Sequence, residues 1–531
     1  MTNRPRPLIL IRGFGGPDLQ DEQRNVYQGF NDGTCYPGRR GESYLYEGFV
    51  LRCLKSARHP YRDATNVVGY YKQEQKPFPD TEGWPEDLLR GSVIVDVPMA
   101  RSVLAQGVAG TMWVYRFYDL VPRTLERYGE GLVKLLKIIE EGARRAGEEF
   151  TGVDVVAHSM GGLVLRAALT RLGGRSEDLI HRIVTLGTPH RGIAFQLLPA
   201  ALARSLPLGV ADEIAAFDPR RTDILGIPFP AHRILTVVGT NYEQYANGFA
   251  NLGNRLSTLI DEGTLAYNRS DGLVKHASAQ IPGAPRTFVN KCHGGQDSLV
   301  TSREAYEIAM RFFHGTHRVR LRLARAEVKR GHDIFGKSEF FFGVSIKPRY
   351  VDFELFHQSK EAENCYGPFH TDDFSDPLPD LATELSRPLS ESGDATTGWA
   401  GPGRLVWEGW VDASAKPAGA LDHSLVLRLE VYVGERDSFG VGFSDNLVFG
   451  KQYYVQAVSE ADGTPSLYLH TGETFLGPDI TPAMVAAAAA AEGAEVQRMA
   501  PGAGGAPGTW TFHVAGTGFE ADLEVSLERE A

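Results

Sequence analysis

The chain has 531 residues, 42% hydrophobic and 23% charged, with a formal net charge of −11. That length exceeds one ordinary core and implies at least two domains, while the composition is that of a globular chain rather than a disordered or membrane-spanning one. The acidic balance argues against a broad nucleic-acid-binding face and lends no support to a basic patch for anionic membranes.

The chain opens on "MTNRPRPLILIRGFGG", whose apolar stretch is too short for a signal peptide and runs straight into a strand, Leu8 to Arg12. This start predicts a cytoplasmic protein, with export by a route that uses no N-terminal signal as the alternative. Residues 17–111, rich in Tyr, Gly and Pro, break the rhythm as a long insertion. A strand at Met112 to Tyr118 follows, then Leu132, Leu135, Leu136, Ile139 and Ala143 at helical spacing. Further strands are predicted at Val153 to Ala157, Ile183 to Leu186, Ile234 to Val238 and Thr287 to Asn290. Strand and helix in alternation imply a mostly parallel sheet covered by helices. Residues 193–230 interrupt it with an apolar, helical excursion between two strands.

Near residue 316 the pattern changes. "VRLRLARAEV", "LVLRLEVYV" and "ADLEVSL" alternate apolar and charged residues, with Gly, Pro and Asp clusters between them. Period two of this kind predicts an antiparallel β-sandwich over 316–531, after a first domain of 1–315. Within it Thr481 and Pro482 stand as N-cap and first residue of an alanine-rich helix. No internal repeat is present, and no segment approaches the ~20 apolar residues of a membrane span.

"VDVVAHSMGGLVLRAAL", residues 153–169, sets one serine, Ser159, between a strand and a helix. A serine hydroxyl is a weak nucleophile and needs a base beside it. A nucleophile elbow exposes it on a sharp turn, which demands small residues two before and two after. Ala157 and Gly161 supply them, with alanine in place of the usual first glycine. Ser159 then sits at a helix N-terminus, where N–H groups point toward developing negative charge.

Four stretches in order, "LILIRGFGG" at 8–16, "VAHSMGGLV" at 156–164, "TLGTPHRG" at 185–192 and "SDGLV" at 270–274, make the first domain resemble the α/β-hydrolase superfamily, and within it the lipases and esterases. The resemblance implies an α/β-hydrolase fold, with the β-sandwich appended. It implies a triad of Ser159, Asp271 and His293, the histidine lying just after the last predicted strand and before the closing helix. His276, His314, His317 and His190 are the rival histidines. It further implies an oxyanion hole from the backbone N–H groups of Phe14 and Met160. Arg12 takes the position where such lipases carry histidine, which a backbone donor tolerates. His158, His190, Phe195 and Leu198 are candidate substrate-lining residues, with 193–230 as a lid or as an ordinary packed helix.

The expected chemistry is hydrolysis of carboxylic esters, lipid or other acyl esters, through an acyl-enzyme. An acyltransferase with the same triad and an inactive hydrolase-fold binding protein are the alternatives. No cofactor is expected. Cys35, Cys53, Cys292 and Cys365 form no CxxC pair, so no zinc or redox motif is indicated. Asp372, Asp373, Asp376 and Asp380 read as a solvated acidic loop, with calcium binding as the alternative. "GHDIFGKS", 331–338, matches a phosphate-loop expression, but the strand-like "EFFFGVSIKP" after it removes the helix N-terminus such a loop requires. The partners expected are an ester or lipid substrate and no nucleic acid, with peripheral membrane or protein contact assigned to the second domain.

Overall fold

The computed structural model describes residues 4–13, 30, 48–69, 93–95, 104–117, 124–191, 226–241, 271–274, 276, 278–294, 297–328, 338–359, 365–366, 404–415, 425–437, 446–460, 463–477, 479–491, 495–502 and 507–530. Phe14, Phe195, Leu198, most of the expected lid and the acidic loop with Asp372, Asp373, Asp376 and Asp380 lie outside the described residues. The chain forms two compact units. The first holds residues up to 256 with 270–286 and 291–309, and the second runs from Met310 to the end with residues 287–290 among its described parts. The division falls inside the helix Arg303–His314, a few residues before the sequence pattern changes.

The first unit is built on strands β1 (Leu8–Ile11), β2 (Asp63–Gly69), β3 (Val93–Val95), β4 (Thr111–Arg116), β5 (Val153–His158), β6 (Ile180–Leu186) and β7 (Ile234–Gly239). With β8 (Arg286–Val289) they form an eight-stranded sheet in the order β3-β2-β4-β1-β5-β6-β7-β8. Pairing is parallel from β2 through β7, and β3 pairs antiparallel with β2. The six strands expected from sequence are all present, with ends shifted by up to three residues. The insertion at 17–111 was expected to stand apart from the alternation. It contributes a helix, Phe49–Lys55, and the two strands β2 and β3 that extend the sheet beyond β4. Short strands without a long apolar run leave a weak periodic signal, so only pairing reveals them.

β1 is fully buried along its length, as a central parallel strand covered on both faces must be. The helix Leu125–Ala146 covers it for local reasons. Thr124 accepts the N–H of Arg127 at 3.2 Å as N-cap, and Gly147 ends the helix at φ 67, which glycine adopts without strain. Its Leu132, Leu135, Leu136, Ile139 and Ala143 are all fully buried in the unit's core, facing β-strand residues such as Ile9, Trp113 and Val155. That is the stripe read from the helical spacing.

The second unit has two antiparallel sheets. One runs β11-β10-β13-β14-β15-β16 and the other β12-β9-β19-β18-β17. Here β9 is His317–Val328, β10 Ser338–Pro348, β11 Phe356–His357, β12 Leu405–Val411, β13 Leu425–Asp437, β14 Asn446–Ser459, β15 Pro465–His470, β16 Val496–Arg498, β17 Ala500–Pro501, β18 Thr509–Ala515 and β19 Phe519–Arg529. The sheets face each other through aromatic side chains. Phe519 lies 6.1 Å from Phe342 and 5.3 Å from Phe449, and Tyr453 lies 6.3 Å from Phe512. Alternation decides which side chains enter this core. On β9, Val319, Leu321 and Leu323 are buried, while Arg318 and Arg320 meet Glu408 on β12 and Arg325 meets Asp522 on β19. Cross-strand pairs of opposite charge thus line the outer face. Ser338 opens strand β10 rather than a helix, so the phosphate-loop expression has no helix N-terminus after it. The alanine-rich helix Pro482–Ala489 starts as its sequence indicates, with Thr481 accepting the N–H of Met484. Among the described residues Cys53, Cys292 and Cys365 are buried and outside any disulfide, no helix is long and apolar enough to cross a membrane, and no group of His, Cys, Asp and Glu is placed to hold a metal ion.

One buried group of the second unit has a measurable consequence for stability. His470 on β15 is fully buried, and neither ring nitrogen has a hydrogen-bond partner among the described residues. Burial pushes its pKa down from 6.5 to about 4. Between those values the unfolded chain takes up a proton that the folded chain refuses. Stability therefore falls as pH drops from about 6.5 to about 4 and levels off below that window. His470→Leu removes this component, so melting temperatures measured across the window are expected to fall less steeply for the variant than for the wild type.

Candidate active site

The strand β5 delivers Ser159 to the carboxyl edge of the sheet, where open parallel sheets bind ligands. Its backbone sits at φ 52 and ψ −129, a conformation that non-glycine residues rarely adopt. Such a residue costs about 1–3 kcal/mol and persists only when its surroundings over-determine it. They do so here. Ser159 N–H donates to the carbonyl of Leu186 at 2.9 Å, its own carbonyl accepts from Gly162 N–H at 3.0 Å, and His158 pairs with Leu186 across β5 and β6. The helix Met160–Leu172 begins at the next residue. Gly161 lets this helix press on β1, because a Cβ there would stand 2.6 Å from the Arg12 carbonyl and 2.7 Å from that of Ile11.

Asp271 and His293 arrive from after β7 and β8. His293 Nδ1 lies 2.8 Å from Asp271 Oδ2, and its Nε2 lies 2.7 Å from Ser159 Oγ. A carboxylate only accepts, so Nδ1 carries a proton, and the tautomer with its single proton there presents a bare Nε2 to the serine hydroxyl. The second carboxylate oxygen is held as well, since Asp271 Oδ1 accepts the N–H groups of Leu273 at 3.1 Å and Val274 at 2.8 Å. Asp271 and His293 are both buried, at 1% and 3% exposure, so these bonds operate with little water competing. Gly187, at φ 53 after β6, makes room for the pair: a Cβ there would meet Asp271 Oδ2 at 2.7 Å and His293 Nδ1 at 3.1 Å. The geometry can move a proton from a serine hydroxyl to an imidazole oriented by a carboxylate.

The three residues named from the sequence pattern as a triad therefore stand in one chain, with His293 within hydrogen-bonding distance of both Ser159 and Asp271. Met160 N–H is the first of the helix and has no intrahelical acceptor to turn to. Phe14, the other expected donor, falls outside the described residues, as do Phe195 and Leu198. His190 does not join the group. It is buried, its Nε2 lies 3.1 Å from Thr185 Oγ1, and its carbonyl accepts from Arg166. Burial, with the charges of Arg166 and Arg191, holds its pKa well below the usual histidine value. It braces the loop after β6 and is not an accessible lining side chain. His158 is half-buried and donates from Nε2–H to the main-chain carbonyl of His293 at 2.8 Å. Burial, His293 and Arg12 lower its pKa to about 3, against the opposing effect of that bond to the His293 carbonyl. Nothing in "AHSMGG" announces that bond, and Gly187 was equally hidden in "TLGTPHRG", because each acts on residues far away in the chain.

Residues 116–198 match the PGAP1-like alpha/beta domain, a segment that takes in the serine elbow but not Asp271 or His293. The GPI inositol-deacylases of Mus musculus and Rattus norvegicus are each 31% identical over 180 residues, covering 31% of this chain. The chain spans only 19% of the length of these relatives. Among solved structures, a gene product of Listeria innocua is 15% identical with a TM-score of 0.33, over 58% of this chain and 93% of its own. Phospholipase PlaB from Legionella pneumophila is 11% identical with a TM-score of 0.29, over 72% and 90% respectively.

The elbow's dependence on close backbone approach can be measured as stability. Gly161→Ala forces a Cβ onto the carbonyls of Ile11 and Arg12 at the end of β1 and is expected to cost about 1–3 kcal/mol in denaturant unfolding. Gly174→Ala, where nothing lies within 4 Å of the added carbon, is expected to stay within about 0.5 kcal/mol of the wild type.

Proposed function

We propose that this chain, an α/β-hydrolase by its parallel sheet and its serine elbow, hydrolyses carboxylic esters through an acyl-enzyme on Ser159. The observation that carries this reading is the continuous hydrogen-bond chain Ser159–His293–Asp271, at 2.7 and 2.8 Å. In the proposed cycle His293 Nε2 takes the serine proton as Oγ attacks the ester carbonyl carbon. Asp271 holds the imidazole in the required tautomer and favours the imidazolium that forms. The oxyanion of the tetrahedral intermediate is stabilised by Met160 N–H and, in this proposal, by Phe14 N–H. His293 returns the proton to the departing alcohol, then activates a water that releases the acid and frees Ser159.

The substrate we assign is an acyl ester of a lipid. The matched relatives are named for removing an acyl group from an inositol of a GPI, which supports an ester whose alcohol is a polyol within a lipid. The apolar residues Phe195, Leu197, Leu198 and Leu206 are proposed to meet the acyl chain. Transfer of the acyl group to an alcohol is the alternative outcome of the same intermediate, and an inactive binding protein is disfavoured by the complete set of proton-transfer partners. Cytoplasmic residence and independence from cofactors remain part of the proposal.

Hydrolysis of p-nitrophenyl esters from acetate to palmitate tests the reading. Wild-type activity is expected, together with covalent labelling of Ser159 by a fluorophosphonate. Ser159→Ala is expected to abolish both, and Asp271→Asn to lower kcat by about 10⁴-fold through the wrong imidazole tautomer. A preference for longer chains, with free acid as the product in the presence of competing alcohols, would identify a lipid hydrolase. Full activity in Ser159→Ala would overturn the assignment.

A further inference from the structure

We propose that His158 is a positioning residue whose Nε2–H grips the main-chain carbonyl of His293 and fixes the base between Ser159 and Asp271. The inference rests on the ester-hydrolase reading of the site and replaces the expectation that His158 lines the substrate.

All four polar groups of His293 have partners. Its N–H donates to the Asp271 carbonyl at 2.8 Å, its Nδ1–H to Asp271 Oδ2 at 2.8 Å, and its Nε2 faces Ser159 Oγ at 2.7 Å. The fourth group, the carbonyl, accepts from His158 at 2.8 Å. Asp271 therefore secures the base from one side, while His158 ties it back to the elbow itself. His158 is suited to this because it is the residue before the nucleophile and the last residue of β5, paired with Leu186. Its ring and the serine hydroxyl ride on one rigid segment.

The segment carrying His293 is already closed on itself. Cys292 N–H donates to Asp297 at 3.0 Å, Leu299 N–H donates to Cys292 at 2.9 Å, and Lys291 Nζ pairs with Asp297 Oδ1 at 2.6 Å. With the neighbouring residues Lys291 and Cys292 held by these bonds, the bond from the elbow to the His293 carbonyl joins those from Asp271 in setting where the imidazole stands. The chemistry of His158 fits a fixed donor and not a second base. A carbonyl cannot donate, so Nε2 must carry the proton, and burial beside His293 and Arg12 keeps the ring from taking up another. The two rings lie 5.0 Å apart, tilted by 38°, so the His158 ring also walls one side of the base.

The full chain is tested with three variants, p-nitrophenyl butyrate as substrate, and the proton NMR signal of His293 Nδ1–H bonded to Asp271. His158→Leu removes the donor at similar volume, His158→Gln keeps an N–H at similar reach, and His158→Asn keeps an N–H that falls short. A displacement of the base of order 1 Å corresponds to about 100-fold in rate, so His158→Leu and His158→Asn are expected to lose about that in kcat with KM unchanged. His158→Gln is expected to recover most of the loss. The Nδ1–H signal is expected to survive in the Gln variant and to broaden or vanish in the other two. If His158→Leu fails to fold, His158→Asn carries the comparison. A rise in KM with kcat preserved would instead make His158 a substrate-lining residue, and equal loss in the Gln and Asn variants would show that reach does not matter. An unchanged Nδ1–H signal in His158→Asn would also overturn the proposal. Should the wild type hydrolyse no ester, the reading of the site fails, yet the NMR comparison still decides whether His158 positions His293.

Discussion

The first unit depends on one strained residue. Ser159 holds φ 52 and ψ −129 where a glycine would rest more easily. A turn this sharp releases the chain from β5 into a helix within one residue, so the hydroxyl projects beyond the sheet edge instead of packing against a neighbour. The strain persists because the surroundings leave no alternative: β5 is paired on both sides, to β1 and β6, along nearly its whole length, and the helix after it lies against β1 at backbone contact. The small residues around the serine are consequences of that contact.

A second constraint follows from burying ions and polar groups near the elbow. Asp271 is almost fully buried, and a buried carboxylate without partners would be costly. Three donors meet it, two from the backbone immediately downstream and one from His293. The downstream pair closes residues 271–274 on the Asp271 side chain, a local contact that orients the carboxylate. His293 is held on every polar atom in turn. Such a network restricts the imidazole to one orientation, which is the preorganisation that proton transfer at a serine requires.

The second unit is organised on a different principle. Its two sheets bury alternate residues between them and pair charges on the outside, where Glu408 meets both Arg318 and Arg320 and Asp522 meets both Arg325 and His513. The pairs on Asp522 are exposed and add little stability. Glu408 is mostly buried, so its two arginines are what make that burial tolerable. His470 has no such compensation, which makes it the least satisfied buried titratable group of the unit among the described residues.

By itself the sequence determined what depends on neighbours within a few positions. Period 3.6 placed the buried face of Leu125–Ala146, period two placed the core of the sandwich, and Thr481 with Pro482 set a helix start. The small residues around Ser159 specified the elbow, the stretch "SDGLV" singled out Asp271, and a place just after the last predicted strand singled out His293 among several histidines. Tertiary structure alone decided what rests on contacts between distant residues. Ser159 and His293 are 134 positions apart, and the bond from His158 to the His293 carbonyl spans 135. Gly187 matters because of two side chains that come from after β7 and β8, and β2 and β3 became sheet strands by pairing rather than by pattern. Local propensity is written into adjacent residues, whereas a hydrogen bond across the fold exists only once every strand between its ends has found its place.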